Sequence, residues 1–166
     1  MVPDAQHGFE FVNRDAVEID RRAAAWFFFT FYPKVLNERA GTVYLAPIAD
    51  SSGRSLEAGK TYKLRVPEDM PAKQFWSLTV YDRATWAFIQ NPLDRASLGS
   101  FNVPQMKANA DGSVDLYFGP KAPAGLEMNW IPTMGREPYL WLRLYGPEDA
   151  FWTKAFKMPD VELMNP

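Results

Sequence analysis

The 166-residue chain contains no cysteine and one histidine. Without cysteine there is no thiol nucleophile, no disulfide, and no Cys-ligated zinc or iron–sulfur cluster. The lone His7 sits near the N-terminus in "MVPDAQHGFEF", where chains tend to fray. A Ser-His-Asp triad or a multi-histidine metal site is therefore not expected, and no cofactor is expected either. No run of one charge sign occurs, and 18 basic residues nearly balance 20 acidic ones. The electrostatic footprint of nucleic-acid binding is thus missing. The longest apolar run, Ala23 to Tyr32, includes Thr30 and is too short to span a bilayer. The opening residues have no basic stretch followed by an apolar one, so they are not read as a secretory signal, and the compartment stays open. Glycines are scattered and never form GxGxxG or GxxxxGK. Chemistry in this chain rests on carboxylates, Tyr, Lys, Arg, Ser, Thr or backbone groups.

What the chain does have is aromatic side chains: six Trp, seven Tyr and twelve Phe. The first element is expected to be a helix over about 14–32. Asn13 is a good N-cap, acids occupy the first turn, and apolar residues recur at three- and four-residue spacing. Its end, "WFFFTFY" at 26–32, is too wide for one apolar stripe. It is expected to be buried, on the chain's own sheet, in a homodimer, or against a further N-terminal domain.

From Gly41 onward the pattern is β. Alternating segments predict strands near 42–48, 61–66, 75–82, 113–119 and 139–145. "TWAFIQ" is expected to continue the third strand after a turn, and a short strand is expected around Trp130. Asp111-Gly112 is expected at a hairpin turn. Pro147 is expected at an early position of a short helix over 147–156. This predicts an all-β fold: a jelly-roll-like antiparallel β-sandwich with an N-terminal helix and a short C-terminal helix. The domain division expected is a helical lead-in over 1–41 and a β-sandwich over 42–166.

Several motifs occur in one order: "FWSLTVYD" (75–82), "NP" (91–92), "NADGSVDLYFG" (109–119), "NWIP" (129–132), "RLYGP" (143–147) and "MPDV" (158–161). Together they resemble the bacterial family known as domain of unknown function 1214, over roughly residues 42–166. In many relatives such a domain is the C-terminal half of a longer protein, preceded by a domain of unknown function 1254. The resemblance implies a jelly-roll-like β-sandwich, similar in architecture to bacterial glycan-processing amidase domains of the peptide:N-glycanase type. It carries over no catalytic residues.

The site candidates come from "YLWLRLYGP" at 139–147. Leu140, Leu142 and Leu144 form one face of this strand; Tyr139, Trp141, Arg143 and Tyr145 form the other. A face that merely met solvent would carry Lys, Glu, Thr and Ser. Trp141, Arg143 and Tyr145, with Tyr81 or Asp82 from another strand, are expected to line a concave pocket on the inner face of the sandwich. A small molecule or glycan is the expected occupant, because aromatic walls with a few polar groups are the usual make-up of ligand sites. In the competing account Arg143 closes a structural pair with Asp82 or Glu137. Asn129 and Trp130, in a loop at the sandwich end, are further ligand-binding candidates, with a turn cap and a core plug as their structural alternatives. Asp82, Asp111 and Asp115 could supply a hydrolytic carboxylate pair, although an Asp at a turn is usually a turn former. "NADGSVD" lacks the alternating acids of a calcium loop, so no metal site is expected. The functional expectation is a domain that binds a small molecule or glycan, on its own or as part of a hydrolase; the alternative is a non-catalytic interaction module docking through its aromatic helix.

Overall fold

In a computed structural model of the chain, residue 39 and residues 41–164 are described; the helix expected over 14–32 and the aromatic run 26–32 lie outside them. Eight strands follow in order: β1 Thr42–Leu45, β2 Tyr62–Val66, β3 Ala72–Asp82, β4 Ser97–Gly99, β5 Val114–Gly119, β6 Trp130–Pro132, β7 Pro138–Pro147 and β8 Val161–Leu163. They form two four-stranded sheets, ordered β1-β7-β3-β4 and β6-β5-β2-β8. Every pairing is antiparallel except β5 with β6, which is parallel. The described residues are therefore all-β with few helical turns.

Period-two patterning explains which side of each strand is buried. In the first sheet Trp76, Leu78 and Val80 of β3 and the three leucines of β7 enter the core. Tyr62, Leu64 and Val66 of β2 meet them from the second sheet, with Leu116 and Phe118 of β5 and Ile131 of β6. Both sheets thus contribute to one hydrophobic core. The long β3–β7 pairing runs in register from Phe75↔Tyr145 to Asp82↔Pro138.

Local turn chemistry sets the remaining corners. Gly112 adopts φ +78 at the Asp111-Gly112 turn, where Asn109 N–H donates to the Ser113 carbonyl at 2.8 Å. The short strand around Trp130 is β6. Two expectations need correction. The turn before "TWAFIQ" is present, but no strand follows it: the segment folds back and makes only an isolated bridge from Phe88 to Tyr81. The turn is held at its base by the Asp82 carbonyl, which accepts from Trp86 N–H at 2.7 Å. Pro147 ends β7 rather than starting the helix, and the C-terminal helix (α1) is the single turn Asp149–Trp152. The β3–β7 ladder carries on to Ala72↔Pro147 and holds that proline in extended geometry.

Candidate functional site

Because the β7 leucines fill the inner face, Tyr139, Trp141, Arg143 and Tyr145 lie on the outer face of the first sheet. The expected inner-face pocket is corrected accordingly. The neighbouring strands add residues of the same parity: Tyr44 opposite Arg143 on β1, and Phe75, Ser77, Thr79 and Tyr81 along β3.

Arg143 is the centre of this face. Its Nη1 donates to Thr79 Oγ1, and its Nη2 donates to the Tyr81 hydroxyl at 2.6 Å. Its guanidinium carbon lies 5.5 Å from the Tyr44 ring centroid, 5.8 Å from that of Tyr81 and 5.9 Å from that of Trp141. Three rings within about 6 Å satisfy the geometry of cation–π attraction. The structural pairs considered for this arginine are made by other residues. Asp82 takes Arg136 at 3.2 Å, and Glu137 takes Arg83 at 3.0 Å. Among the described residues no carboxylate forms a salt bridge with Arg143.

A ring network spreads from this centre. Tyr44 meets Trp141 edge-on at 5.0 Å, and Trp141 continues to Tyr139 and then Trp86. Tyr81 stacks on Phe88 at 5.0 Å. Tyr145 stands apart, stacked on Phe75 at 4.1 Å, with Phe75 leading to Phe101. The margins of the network are open: Trp86 is 62% exposed, Phe88 54% and Phe101 76%.

A shallow cleft of about 300 Å³ adjoins the arginine centre, between β3 and the loop that follows it; Thr79, Phe88, Gln90, Asp94 and Ser97 contribute to its lining. A second cleft of about 250 Å³ shares Asp94, Ala96 and Ser97 with the first and continues towards Asn102, Gln105 and Met128. The loop between them is built by Asn91. Its amide donates to the carbonyls of Ile89 and Arg95, each at 3.0 Å, and accepts from the N–H groups of Leu93 and Arg95.

The other expected residues separate from this centre. Asp82 has the parity opposite to Tyr81 and turns away from the outer face; its buried carboxylate accepts from Ala84 N–H at 3.0 Å and binds Arg136. Asn129 belongs to the second sheet's end and is 1% exposed. It accepts from Lys107 N–H at 2.9 Å and donates to the Lys107 and Asp115 carbonyls, both at 3.0 Å. Trp130 is half-buried and donates its indole N–H to the Gly119 carbonyl at 3.0 Å. Asp111 is a turn former: its carboxylate accepts from the Ser113 hydroxyl at 2.6 Å and meets Arg65 at 2.7 Å. The Ser113 hydroxyl, more than the arginine, holds the Asp111 carboxyl below its ordinary range. Asp115 lies on the outer face of the second sheet, opposite Arg65 and two residues from Tyr117, whose phenol is raised first by burial and then by the Asp115 charge. Among the described residues no group of three or more His, Asp or Glu could hold a metal ion, and no helix is long and apolar enough to cross a membrane.

Sequence reasoning missed Tyr44, Thr79 and Phe88. The first two carried a signal: Thr79 shares the parity of Tyr81, and Tyr44 alternates with buried Val43. Phe88 carried none, because its place depends on the chain turning back after β3.

Fold and site thus define an all-β domain of two sheets around one core, with an aromatic, arginine-centred outer face. The chain matches the model of the protein of unknown function DUF1214 over residues 41–149, and it belongs to that family. Among solved structures it is similar to the VPA0106 protein from Vibrio parahaemolyticus, at 26% identity and a TM-score of 0.65. That match covers 75% of this chain and 31% of the Vibrio protein, so the chain spans less than a third of that relative's length. A putative uncharacterized protein from Burkholderia cenocepacia matches at 12% identity and a TM-score of 0.41, over 92% of this chain and 44% of that one. No curated protein matches the chain.

Proposed function

We propose that this domain binds a small molecule or a glycan on the outer face of its first sheet, in the cleft beside Arg143. One observation carries the reading: a guanidinium held only by the neutral hydroxyls of Thr79 and Tyr81, with no carboxylate partner among the described residues. An arginine kept for stability alone would ordinarily be neutralised by a nearby acid. Ringed by Tyr44, Tyr81 and Trp141, this one is oriented and partly shielded from water while its charge stays available. Such an arrangement of aromatic walls and a few fixed polar groups is what ligand sites use. The finer architecture, a jelly-roll-like sandwich over 42–166 with a helical lead-in over 1–41, is part of the same proposal. Hydrolysis is not: Asp94 is the one carboxylate lining the cleft, and glycosidic cleavage ordinarily uses two.

A second reading is favoured by the open rings at the margins, Trp86 and Phe101 above all. They extend the aromatic face beyond the reach of one small ligand, and Trp, Tyr and Arg are the residues enriched where proteins dock. In that reading the face, or residues 26–32, meets another domain or a second copy of the chain.

Thermal-shift screening against a small-molecule and glycan library tests the first reading. A ligand that binds the folded state raises its melting temperature, and Arg143→Met should abolish that rise. Absence of any shift, combined with a mass in sedimentation that grows with concentration, would favour the second.

A further inference from the structure

β4 is the outermost strand of the first sheet, and its ladder decides which backbone groups face outward. Val80 N–H donates to the Ala96 carbonyl at 2.9 Å, so Ala96 and, two residues on, Leu98 turn their polar groups towards β3. Arg95, Ser97 and Gly99, of the other parity, turn theirs away from it. Side-chain amides serve two of these three residues. Asn91 accepts from Arg95 N–H at 3.1 Å and donates to the Arg95 carbonyl at 3.0 Å, as a neighbouring strand would. Asn102 accepts from Gly99 N–H at 2.9 Å. Ser97 lies between them and is exposed; among the described residues none bonds its outward N–H or carbonyl. The edge therefore has one open rung.

The two clefts meet at that rung, since Ala96 and Ser97 line both. One extends over the outer face to Thr79 and Phe88. The other extends to Asn102, Met128 and Leu98, whose side chain belongs to the core. A strand laid beside β4 sends successive side chains to alternate faces, and so into one cleft and then the other. One antiparallel residue closes both groups of Ser97, whereas a parallel strand needs two. The charged residues lining the clefts are Asp94 and Arg95, one of each sign, which selects no net charge in the occupant. A second copy of β4 is a poor occupant, because its own Asn91 and Asn102 caps would stand against those of the first.

We propose that the β4 edge takes an uncharged, extended peptide, paired antiparallel with Ser97 and with its alternate side chains in the two clefts. This goes beyond the ligand reading above and does not depend on Arg143. NMR titration of the isotope-labelled full chain with a library of acetylated, amidated pentapeptides, uncharged and varied at the three central positions, tests it. The tightest peptide is expected to slow hydrogen exchange of the Ser97 amide at least about tenfold, while Leu98, already in the ladder, changes little. N-methylation of the peptide residue opposite Ser97 removes one of the two bonds and should weaken binding about tenfold. N-methylation of its neighbours, whose N–H groups point away, should be tolerated. Ser97→Pro removes the edge donor and should abolish binding, with near-UV circular dichroism checking its fold. No binding by any library member overturns the proposal, and the amide caps then serve only to blunt the edge. Equal losses from N-methylation at every position, or binding that survives Ser97→Pro, overturn the pairing at Ser97. A Ser97 amide already protected in the free chain, with a mass that grows with concentration, makes a second copy the occupant and overturns the peptide.

Discussion

Arg143 on β7 and Tyr81 on β3 are joined by a 2.6 Å bond from guanidinium to phenol, and neither residue meets the carboxylate that its neighbours in sequence could have supplied. Asp82 is one residue from outer-face Tyr81, and that single step carries it to the other face, while Glu137, just before β7, is taken by Arg83. The arginine therefore keeps its charge while its position is fixed.

This relationship predicts how Arg143→Met behaves. Losing two bonds from a half-buried guanidinium, where water replaces part of each, should cost about 2–3 kcal/mol of stability. Breaking a buried ion pair would cost about 3–5 kcal/mol. Urea melts without ligand distinguish the two, and a loss at the higher figure would make Arg143 a structural residue.

Asn129 is expected to behave in the opposite way. Its amide serves Lys107 N–H and two carbonyls from a site with almost no solvent access. Asn129→Ala removes the partner of three backbone groups and leaves a hole at a buried position, and should cost at least about 2 kcal/mol. Asn129→Asp keeps the acceptor but turns a negative oxygen towards two carbonyls, so it should be no better. A melt of either variant within 0.5 kcal/mol of wild type, roughly the range of surface changes, would refute the structural role.

Gly99 couples the fold to the cleft. A Cβ there would lie 2.5 Å from the Trp76 carbonyl oxygen and 3.2 Å from Ser77 Cα, on the strand with which β4 pairs. Because these neighbours are backbone, Gly99→Ala should force β4 off β3 and destabilise by about 1–3 kcal/mol. Ser97, on the same three-residue strand, lines both clefts, so ligand binding should weaken as well. Unchanged stability with unchanged hydrogen exchange at Leu98 would count against this.

Acid sensitivity should trace to two turns. The Ser52 hydroxyl, at 2.6 Å, is the main cause of the lowered Asp50 carboxyl, and Ser113 plays that part for Asp111. A carboxyl depressed in the folded state contributes stability above its unfolded pKa, about 3.9, and that contribution is lost as pH falls through the folded value. Stability should therefore decline below about pH 4. Ser52→Ala and Ser113→Ala should each flatten that decline. At the other extreme burial raises the Tyr62 phenol, so its contribution is present below about pH 10 and lost as pH rises through the higher folded value. Ultraviolet titration of tyrosinate, compared with Tyr62→Phe, reports it; a Tyr62 that ionises at the ordinary value would contradict the effect.

The longer strands were legible from local pattern alone, whereas the three-residue β4 and β8 are too short to show an alternation and were not. Period-two alternation in "YKLRV", "FWSLTVYD" and "YLWLRLY" assigns each side chain to a face without reference to any partner, and Asp111-Gly112 marks its turn because glycine accepts a positive φ. The same alternation separated the leucines from the aromatic residues of β7. Which of those faces turned inward, and which residues met across strands, were decided by tertiary structure. Pairing register is a relation between distant segments, so Arg143 could be read as exceptional and Tyr81 only as one of two alternatives with Asp82, while Thr79, 64 residues before Arg143, could not be read at all. "TWAFIQ" has strand-like composition, yet the Asp82 turn sends it back over Tyr81 and so places Phe88 beside the cleft. Asn129 looked like a ligand residue because it is polar and lies in a loop. Burial against β5 and the segment at Lys107 commits its hydrogen bonds to the backbone, and burial is a property of the packed chain rather than of any one segment.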